Sequence, residues 1–286
     1  MRKLFCLLGD PVAHARSPAI HARAFARLGV DAVYAPCHVP HAKLDAAMAG
    51  LEALGVAGFN VTVPHKREVA QRLQQLAPTA QRSGSVNCGV RTDAGFVGHD
   101  TDGVGLLRAL GAHGVQVKGA QAVVLGAGGS GAACVAALTG AGARVTLLNR
   151  TLETAQAIAQ THGARAGRLP GEARGIEGDE AAAALGQAAL VVHCTTVGMK
   201  TGEVLVDPKL LSREACVVDL VYVGAPASPL GDTELLVRSR ARGLVVVDGL
   251  EVLVHQAAAA LELWLSRDEG SLNHLLPELR AAALEA

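Results

Sequence analysis

The chain has 286 residues, half of them hydrophobic and only 2% aromatic, which suffices for the cores of two ordinary domains and excludes a disordered or fibrous chain. Its 26 lysines and arginines balance 26 aspartates and glutamates, so we expect no nucleic-acid partner and no membrane-surface partner. No apolar run has the length of a membrane span, and the six scattered cysteines contain no Cys-x-x-Cys pair, so we expect a soluble cytoplasmic protein without a metal site.

The first hundred residues alternate between short apolar strands and amphipathic helices. Gly and Pro mark the joints between these segments, as is usual where a chain turns between regular elements. The pattern predicts strands near 3–8, 32–38 and 57–63, and helices near 17–28, 42–54 and 66–75. We expect them to form a first α/β domain over residues 1–102.

The alternation continues from about residue 103, where a helix leads into an apolar strand at 121–125. A strand that is apolar throughout is typical of a parallel sheet covered on both faces. Four further strands are predicted, near 144–148, 189–194, 216–219 and 244–247. The pattern predicts a doubly wound Rossmann domain over residues 103–248, in which the segment 163–181, rich in Gly, Arg and Glu, is a loose surface connection.

The last forty residues change character, because they contain two helical segments and no strand. The first segment has an apolar stripe at the spacing of one helix face, through Leu250, Val254, Ala257, Leu261 and Leu265. We expect residues 249–286 to pack back on the first domain.

A glycine motif directly follows the strand at 121–125 and precedes a helix. Its residues form a complete G-x-G-x-x-G, namely Gly126, Ala127, Gly128, Gly129, Ser130 and Gly131. Out of context such a motif is often only a flexible loop. Between a strand and a helix, the glycines permit a tight turn and the close approach of a pyrophosphate to the helix N-terminus. The context therefore predicts dinucleotide binding.

The end of the next strand indicates which dinucleotide binds. An NAD site typically has Asp or Glu here to bind the ribose hydroxyls, whereas this chain has Asn149, Arg150 and Thr151. Taken alone, Arg150 would be an exposed loop residue. After a glycine motif its guanidinium is suited to a 2′-phosphate, so NADP is the predicted cofactor.

Several polar residues of the first domain lie at strand ends and in turns, where binding groups are common. Singly, Lys66 would be a solvated lysine, Asp102 a helix N-cap, and Asn87 and Thr62 ordinary turn and strand residues. Together and in this order they resemble the motifs of the shikimate dehydrogenase family. The resemblance covers nearly the whole chain, through the segments 13–18, 60–66, 86–87, 101–103, 126–131, 149–151, 194–199, 219–222 and 248–256.

The resemblance implies an NADP-dependent enzyme that interconverts 3-dehydroshikimate and shikimate by hydride transfer at carbon 3, in the route to chorismate and the aromatic amino acids. Lys66 would exchange a proton with the carbonyl oxygen, and Asp102 would orient its ammonium group. Which of the two moves the proton stays open, because the pair would titrate as a unit.

The resemblance also implies the residues that bind each ligand. Ring hydroxyls of the substrate would be bound by Thr62, Asn87 and Gln256, and its carboxylate by Ser17 and Tyr222, in a loop that includes Ala15. The cofactor would lie on the glycine motif, on Asn149–Thr151, and beside Thr195, Met199, Leu220 and Gly249. The partner is thus a small molecule, and the protein would be a monomer or a homodimer.

Two departures from the family pattern lie in the first domain. Ala15 stands where the family has a serine, which removes a hydrogen bond to the substrate carboxylate worth about 1.5–3 kcal/mol and leaves room for the extra hydroxyl of quinate. Asp100 stands where the family commonly has Asn. It is either a near-isostere that caps the next helix or an extra carboxylate that shifts the titration of Lys66 and Asp102.

Two more departures lie in the second domain. Thr154 occupies the place of a second basic residue, which predicts a weaker preference for NADP. The stretch 222–229 is one residue longer than usual, which affects the placement of Tyr222.

Other functions stay open beside the main prediction. One is a quinate/shikimate dehydrogenase with relaxed preference for substrate or for NAD against NADP, and another is an enzyme for an amino-substituted analogue. A catalytically silent sensor of nucleotide or shikimate is a third, although it would need neither Lys66 nor Asp102.

Overall fold

A computed structural model of the chain describes residues 2–169, 179–199, 202–222 and 232–286. The chain divides into two compact units. The first extends to Gly105 and includes Val254–Ala286, and the second is Leu106–Leu253.

The first unit contains a mixed six-stranded sheet. Its elements in chain order are β1 (Lys3–Gly9), α1 (Ser17–Leu28), β2 (Ala32–His38), α2 (Leu44–Ala53), β3 (Gly58–Val61), α3 (Lys66–Arg72), β4 (Gln75–Leu76), α4 (Pro78–Ser83), β5 (Cys88–Thr92), β6 (Gly95–His99) and the start of α5 (Asp102–Ala112). The strand order is β2-β1-β3-β5-β6-β4, and β5 runs antiparallel to both of its neighbours. All three predicted strands are present, while β4, α4 and the β5–β6 hairpin were not predicted.

The single helix predicted at 66–75 is wrong in its last part. Helix α3 ends at Arg72, and Leu73 already has extended backbone angles. Gln75 and Leu76 then pair with Val97 and Gly98 of β6. Pairing with a strand that comes later in the chain overrides the helical pattern of the local sequence.

The second unit contains a parallel sheet in the order β12-β11-β10-β7-β8-β9. Its elements are β7 (Gln121–Leu125), α6 (Gly129–Gly140), β8 (Arg144–Asn149), α7 (Leu152–His162), β9 (Arg165–Arg168), α8 (Asp179–Gln187), β10 (Leu190–His193), β11 (Cys216–Asp219), α9 (Glu234–Ala241), β12 (Val245–Asp248) and the start of α10 (Gly249–Trp264). Both faces are covered by apolar side chains. Val124 packs with Leu138 of α6 on one face, and Val123 packs with Leu185 of α8 on the other.

The prediction of a loose connection at 163–181 is wrong for Arg165–Arg168, which form β9, and for residues 179–181, which begin α8. This strand pairs with the exposed edge of β8, and the backbone N–H of Leu169 donates to Asn149 O at 2.9 Å. Residues 170–178 of that segment lie outside the part of the chain that the structure describes.

The C-terminal helices belong to the first unit, as the sequence predicts. Trp264, at the end of α10, donates from Nε1 to Gly89 O at 3.0 Å and lies so close to Gly58 that a Cβ there would be 2.5 Å from the indole. Helix α11 (Leu276–Glu285) lies beside α1, where Arg23 and Arg27 pair with Glu285 and Glu278.

Among the described helices, none combines the length and apolar character that crossing a membrane requires. The described residues also contain no cluster of three or more His, Cys, Asp or Glu suited to a metal ion.

Candidate active site

The first unit places a lysine and an aspartate in direct contact. Lys66 is the first residue of α3 and Asp102 is the first residue of α5. Lys66 Nζ donates a hydrogen bond to Asp102 Oδ2, and the two side chains are only 13% and 16% exposed. A charge-assisted hydrogen bond with so little water around it is among the stronger polar contacts in proteins. The pair therefore holds an ammonium group in one position.

Asn87 and Gln256 extend this pair into a network. Asn87 Nδ2 donates to Asp102 Oδ1 at 2.6 Å and lies 3.0 Å from Gln256 Oε1. Asn87 Oδ1 accepts from the backbone N–H of Thr101 at 2.7 Å. The structure thus brings together four of the predicted residues, from the start of α3, from the turn before β5, from α5 and from α10.

A second chain of hydrogen bonds leads from Asn87 to α1. Asn60 Nδ2 donates to Asn87 O at 2.9 Å, and the Tyr34 hydroxyl donates to Asn60 Oδ1 at 2.9 Å. Burial raises the pKa of Tyr34, and a hydrogen bond with Ser17 offsets only part of that rise. Neither Tyr34 nor Asn60 was among the predicted site residues. The signal for Asn60 was a polar residue in the middle of an otherwise apolar strand.

Thr62 and Ala15, two other predicted substrate residues of this unit, are half-buried at the ends of elements, and Ser17 is buried at the start of α1. Thr62 follows β3, and its backbone N–H donates to Leu8 O at 2.8 Å. A Cβ at Gly9 would lie 2.3 Å from the Thr62 methyl group, so glycine is needed there for this approach. Ala15 precedes α1, and its N–H donates to Val12 O at 3.1 Å.

Asp100 lies two residues before Asp102 and is 3% exposed. Burial, and after it the negative charge of Asp102, raise the pKa of Asp100 to about 7. The carboxyl group therefore holds its proton up to about neutral pH, whereas an ordinary aspartate releases it near pH ~4.

In the second unit, the glycine motif connects β7 to α6 as predicted. Gly126 has φ +105°, and a Cβ on Gly131 would lie 1.9 Å from Gly126 O. These two glycines are required by the turn and by its packing. Gly128, by contrast, has nothing within 4 Å of where a Cβ would stand. The loop thus leaves open space directly before the N-terminus of a twelve-residue helix, where a pyrophosphate fits.

Strand β8 ends at Asn149, and Arg150 and Thr151 follow it. Asn149 Oδ1 accepts from the backbone N–H of Ala127 at 3.1 Å, and its Nδ2 donates to Thr151 O at 2.9 Å. Asn149 therefore ties the glycine motif to the next strand. Arg150 is exposed, so its guanidinium is accessible to an anion.

Thr195 lies against the glycine loop and is held by a buried network. Its methyl carbon would be 2.8 Å from a Cβ on Gly126, and its Oγ1 is 2.6 Å from His193 Nε2. The other ring nitrogen of His193 is 2.8 Å from Asp219 Oδ1, and Thr233 donates to Asp219 Oδ2 at 2.5 Å. His193 was not among the predicted site residues, although a polar residue at the end of an apolar strand could have indicated it.

The remaining residues that the sequence predicts at the cofactor also follow parallel strands. A Cβ on Gly249 would lie 2.6 Å from Leu220 O, so these two residues pack closely after β12 and β11. Met199 is 44% exposed, in the segment after β10. Ligands of doubly wound sheets bind at this carboxyl edge. Tyr222 is half-buried, and residues 223–229 of the longer stretch 222–229 lie outside the described part.

Two family models match the chain. One describes the shikimate dehydrogenase substrate binding domain and matches residues 7–88, and the other describes shikimate / quinate 5-dehydrogenase and matches residues 109–197. Together they cover more than half of the chain, and one falls in each of the two compact units.

Individual proteins are similar over almost the full length. A shikimate dehydrogenase (NADP(+)) of Symbiobacterium thermophilum is 42% identical, over 99% of this chain and 94% of that protein. The crystal structure of shikimate 5-dehydrogenase from Thermus thermophilus in complex with NADP(H) and shikimate has a TM-score of 0.82, 34% identity and 98% coverage of both chains. The ligand-free 5-ketofructose reductase of a Gluconobacter strain has a TM-score of 0.81 at 28% identity, over 100% of this chain and 98% of that one.

These similarities confirm the fold class and the family that the sequence motifs indicated. The 5-ketofructose reductase shows that the same fold also occurs in a reductase with another name, so the fold by itself leaves the substrate open. Identity of 42% over nearly all of the chain is a stronger criterion than fold. The chain belongs to the shikimate dehydrogenase family.

Proposed function

We propose that this protein is an NADP-dependent shikimate dehydrogenase, which reversibly reduces 3-dehydroshikimate to shikimate in the biosynthesis of chorismate and the aromatic amino acids. The observation that carries the proposal is the shielded Lys66–Asp102 pair with Asn87 and Gln256 around it. Similar proteins named shikimate dehydrogenase (NADP(+)) support it, and so does a similar structure that contains both shikimate and NADP(H).

Lys66 supplies the proton chemistry. Reduction of a ketone places negative charge on the carbonyl oxygen, and that oxygen needs a proton as the charge develops. The ammonium group of Lys66 donates it, and the neutral amine takes it back when shikimate is oxidised. The cofactor, when bound, would supply the hydride as NADPH and accept it as NADP+.

Asp102 holds the Lys66 ammonium group in place. Its Oδ2 accepts from Lys66 and its Oδ1 from Asn87, so the carboxylate cannot rotate without losing one of these contacts. A fixed proton donor contributes more to the rate than a mobile one, because no alignment is needed during the reaction. The two groups act as one unit in proton transfer.

Substrate recognition is assigned to polar groups around this pair. Asn87, Gln256 and Thr62 bind ring hydroxyls, and Ser17 and Tyr222 bind the carboxylate. The substrate-binding residues, apart from Tyr222, belong to residues 1–102 and 249–286. The first of these ranges is the proposed substrate domain.

Residues 103–248 are the proposed cofactor domain, to which Gly249 is directly adjacent. The pyrophosphate of NADP fits the open space at Gly128, and the 2′-phosphate fits the exposed Arg150. Thr195, Met199, Leu220 and Gly249 are assigned to the rest of the cofactor, because all four follow parallel strands at the carboxyl edge of the sheet.

A second candidate is mixed use of quinate and shikimate. It is favoured by Ala15, a residue without a hydroxyl at a position where the family has a serine. Quinate carries one more hydroxyl on the carbon that bears the carboxylate, and the missing serine oxygen leaves space beside that carbon. Ala15→Ser then restores a hydrogen bond to the carboxylate and fills the space.

The test is a spectrophotometric oxidation assay in which shikimate and quinate are each paired with NADP and with NAD. Rapid turnover only with shikimate and NADP supports the main proposal. Comparable turnover with quinate supports the second, and Ala15→Ser is then expected to raise the shikimate-to-quinate ratio of kcat/KM about tenfold. Absence of turnover in every combination, in a protein that still binds shikimate by calorimetry, would instead identify a sensor.

A further inference from the structure

Asp100 is a buried acid next to the catalytic pair. Its Oδ1 accepts from the backbone N–H of Asp102 at 3.0 Å, and its own backbone N–H donates to Thr79 Oγ1 at 3.2 Å. Its Oδ2 is buried without a hydrogen bond to any described residue. Ser83 acts against burial and lowers the pKa of Asp100, while its hydroxyl donates to Ser85 O at 3.2 Å.

Asp100 and Asn87 hold the start of α5 from two sides. Asn87 Oδ1 accepts from the N–H of Thr101, and Asp100 Oδ1 accepts from the N–H of the next residue, Asp102. The first N–H groups of a helix have no partner within it, so these two side-chain oxygens supply the missing acceptors. As a result the backbone that carries the Asp102 carboxylate is fixed at two consecutive residues.

The charged and titratable groups that face Asp100 come from three elements. Asp102 of α5 is negative, Lys66 of α3 is positive, and Cys88 of β5 is a buried thiol whose own pKa is raised by burial and by Asp100. With Asp100 protonated, Lys66 and Asp102 balance each other. When Asp100 ionises, a second carboxylate acts on the ammonium group of Lys66.

We propose that Asp100 is a positioning residue that fixes the backbone of Asp102 and, through its own ionisation, sets the pH range in which Lys66 exchanges a proton with the substrate. The proposal rests on the proposed function, because the exchange it adjusts is that of the Lys66–Asp102 pair.

The direction of the effect follows from the charges. A negative group near an ammonium stabilises the charged form and raises the pKa of the lysine, by about one unit or more at close range. Oxidation of shikimate needs the neutral amine. Ionised Asp100 therefore moves the acidic limb of the oxidation rate to higher pH, and its removal moves that limb to lower pH.

Two substitutions separate the two roles. Asp100→Asn keeps an oxygen that accepts from the N–H of Asp102 but cannot ionise, and Asp100→Ala removes both properties. Asp93→Asn, in the exposed turn between β5 and β6, is the matched control for loss of one carboxylate.

The first measurement is the pH dependence of kcat and kcat/KM for shikimate oxidation with NADP. We expect Asp100→Asn to keep kcat at its optimum within about threefold and to shift the acidic limb down by about one pH unit. We expect Asp100→Ala to lose about tenfold in kcat with little change in KM for NADP, and Asp93→Asn to match the parent protein. A profile of Asp100→Asn that superimposes on that of the parent overturns the titration role. Parental kcat in a folded Asp100→Ala protein overturns the positioning role.

The second measurement does not depend on activity. Carboxyl carbon NMR of protein labelled at aspartate is expected to show one carboxyl that titrates near pH 7 and is lost in Asp100→Asn. If no aspartate titrates near neutrality, the proposed titration of Asp100 is wrong whatever the substrate is. If the signal is present but shikimate is not oxidised, the proposed function is wrong, while the titration of the Asp100 carboxyl group near neutral pH is confirmed.

Discussion

Asn87 donates a hydrogen bond to Asp102 at 2.6 Å, on the carboxylate oxygen that Lys66 does not use. Both oxygens of Asp102 are therefore engaged by groups from different elements, and the lysine is held against a carboxylate that has one orientation. The chemistry proposed for this site depends on that arrangement, because a proton donor must already be aligned when the hydride moves.

Replacement of Lys66 by methionine tests the assigned proton donor. The substitution keeps most of the side-chain length but removes the group that exchanges the proton, so kcat for shikimate oxidation is expected to fall by about 10²–10⁴-fold. The measurement is steady-state kinetics on protein whose circular dichroism matches that of the parent. Lys43→Ala, at an exposed position before α2, is the control. Loss of less than about tenfold in Lys66→Met would contradict the assignment.

Gly131→Ala tests the packing of the glycine loop. The added Cβ would lie 1.9 Å from Gly126 O, so the loop has to move, and we expect a loss of about 1–3 kcal/mol in the free energy of unfolding together with weaker NADP binding. Urea unfolding and calorimetric titration with NADP measure the two effects. Gly140→Ala, at the other end of α6, has nothing within 4 Å of the new carbon and should keep NADP binding. Equal NADP affinity in both variants would show that the loop does not contact the cofactor.

Arg150→Ala tests the choice between NADP and NAD. A charge-assisted hydrogen bond to a phosphate is worth about 1.5–3 kcal/mol, so KM for NADP is expected to rise about 10–100-fold while KM for NAD stays within about twofold. The ratio of kcat/KM for the two cofactors is the quantity to measure, with the exposed Arg213 replaced by alanine as control. A ratio unchanged from the parent would remove Arg150 from the cofactor site.

The pH dependence of stability tests the environment of Asp100. Its pKa of about 7 in the folded protein lies above the ordinary value of 3.8, so between these pH values the folded chain binds more protons than the unfolded chain. The free energy of unfolding therefore loses the contribution of this group as pH rises from about 4 to about 7. Asp100→Asn has no such loss. Urea unfolding should show it to be more stable relative to the parent at about pH 8 than at about pH 5, whereas an equal difference at both values would contradict the raised pKa.

Much of the fold was predictable because its elements carry local patterns. Strand β7 was predicted with its observed bounds, since a short apolar run is followed directly by glycines. Strand β9 was not, because two of its four residues are arginines and only the edge of β8 makes them a strand. The β5–β6 hairpin was missed for a similar reason. Its turn depends on Gly95 at φ +107° and its pairing on β3, neither of which shows in a short, weakly alternating segment.

The candidate site also contains residues that local sequence motifs indicate and contacts that arise only in the folded protein. Lys66, Asp102 and Asn87 belong to motifs that are recognisable in the sequence, although singly each has an ordinary structural explanation. The link from Tyr34 through Asn60 to Asn87 is a tertiary contact between residues 26 and 27 positions apart, and no local pattern marks Tyr34. The network of His193 and Asp219 joins the ends of two strands that are neighbours only in the folded sheet.

The return of the C-terminal helices to the first unit has a consequence for synthesis of the protein. Gln256 accepts a hydrogen bond from Asn87, which lies 169 residues earlier in the chain. Trp264 donates one to the carbonyl of Gly89, which lies 175 residues earlier. When only the first hundred residues have left the ribosome, the sheet of the first unit therefore still lacks helix α10, which packs against it. Such long separations slow the closure of a native contact, so we expect the first unit to complete its folding after the second unit, which is encoded between its two parts. Chains truncated before α10 are expected to lack both the site and the covering of that sheet.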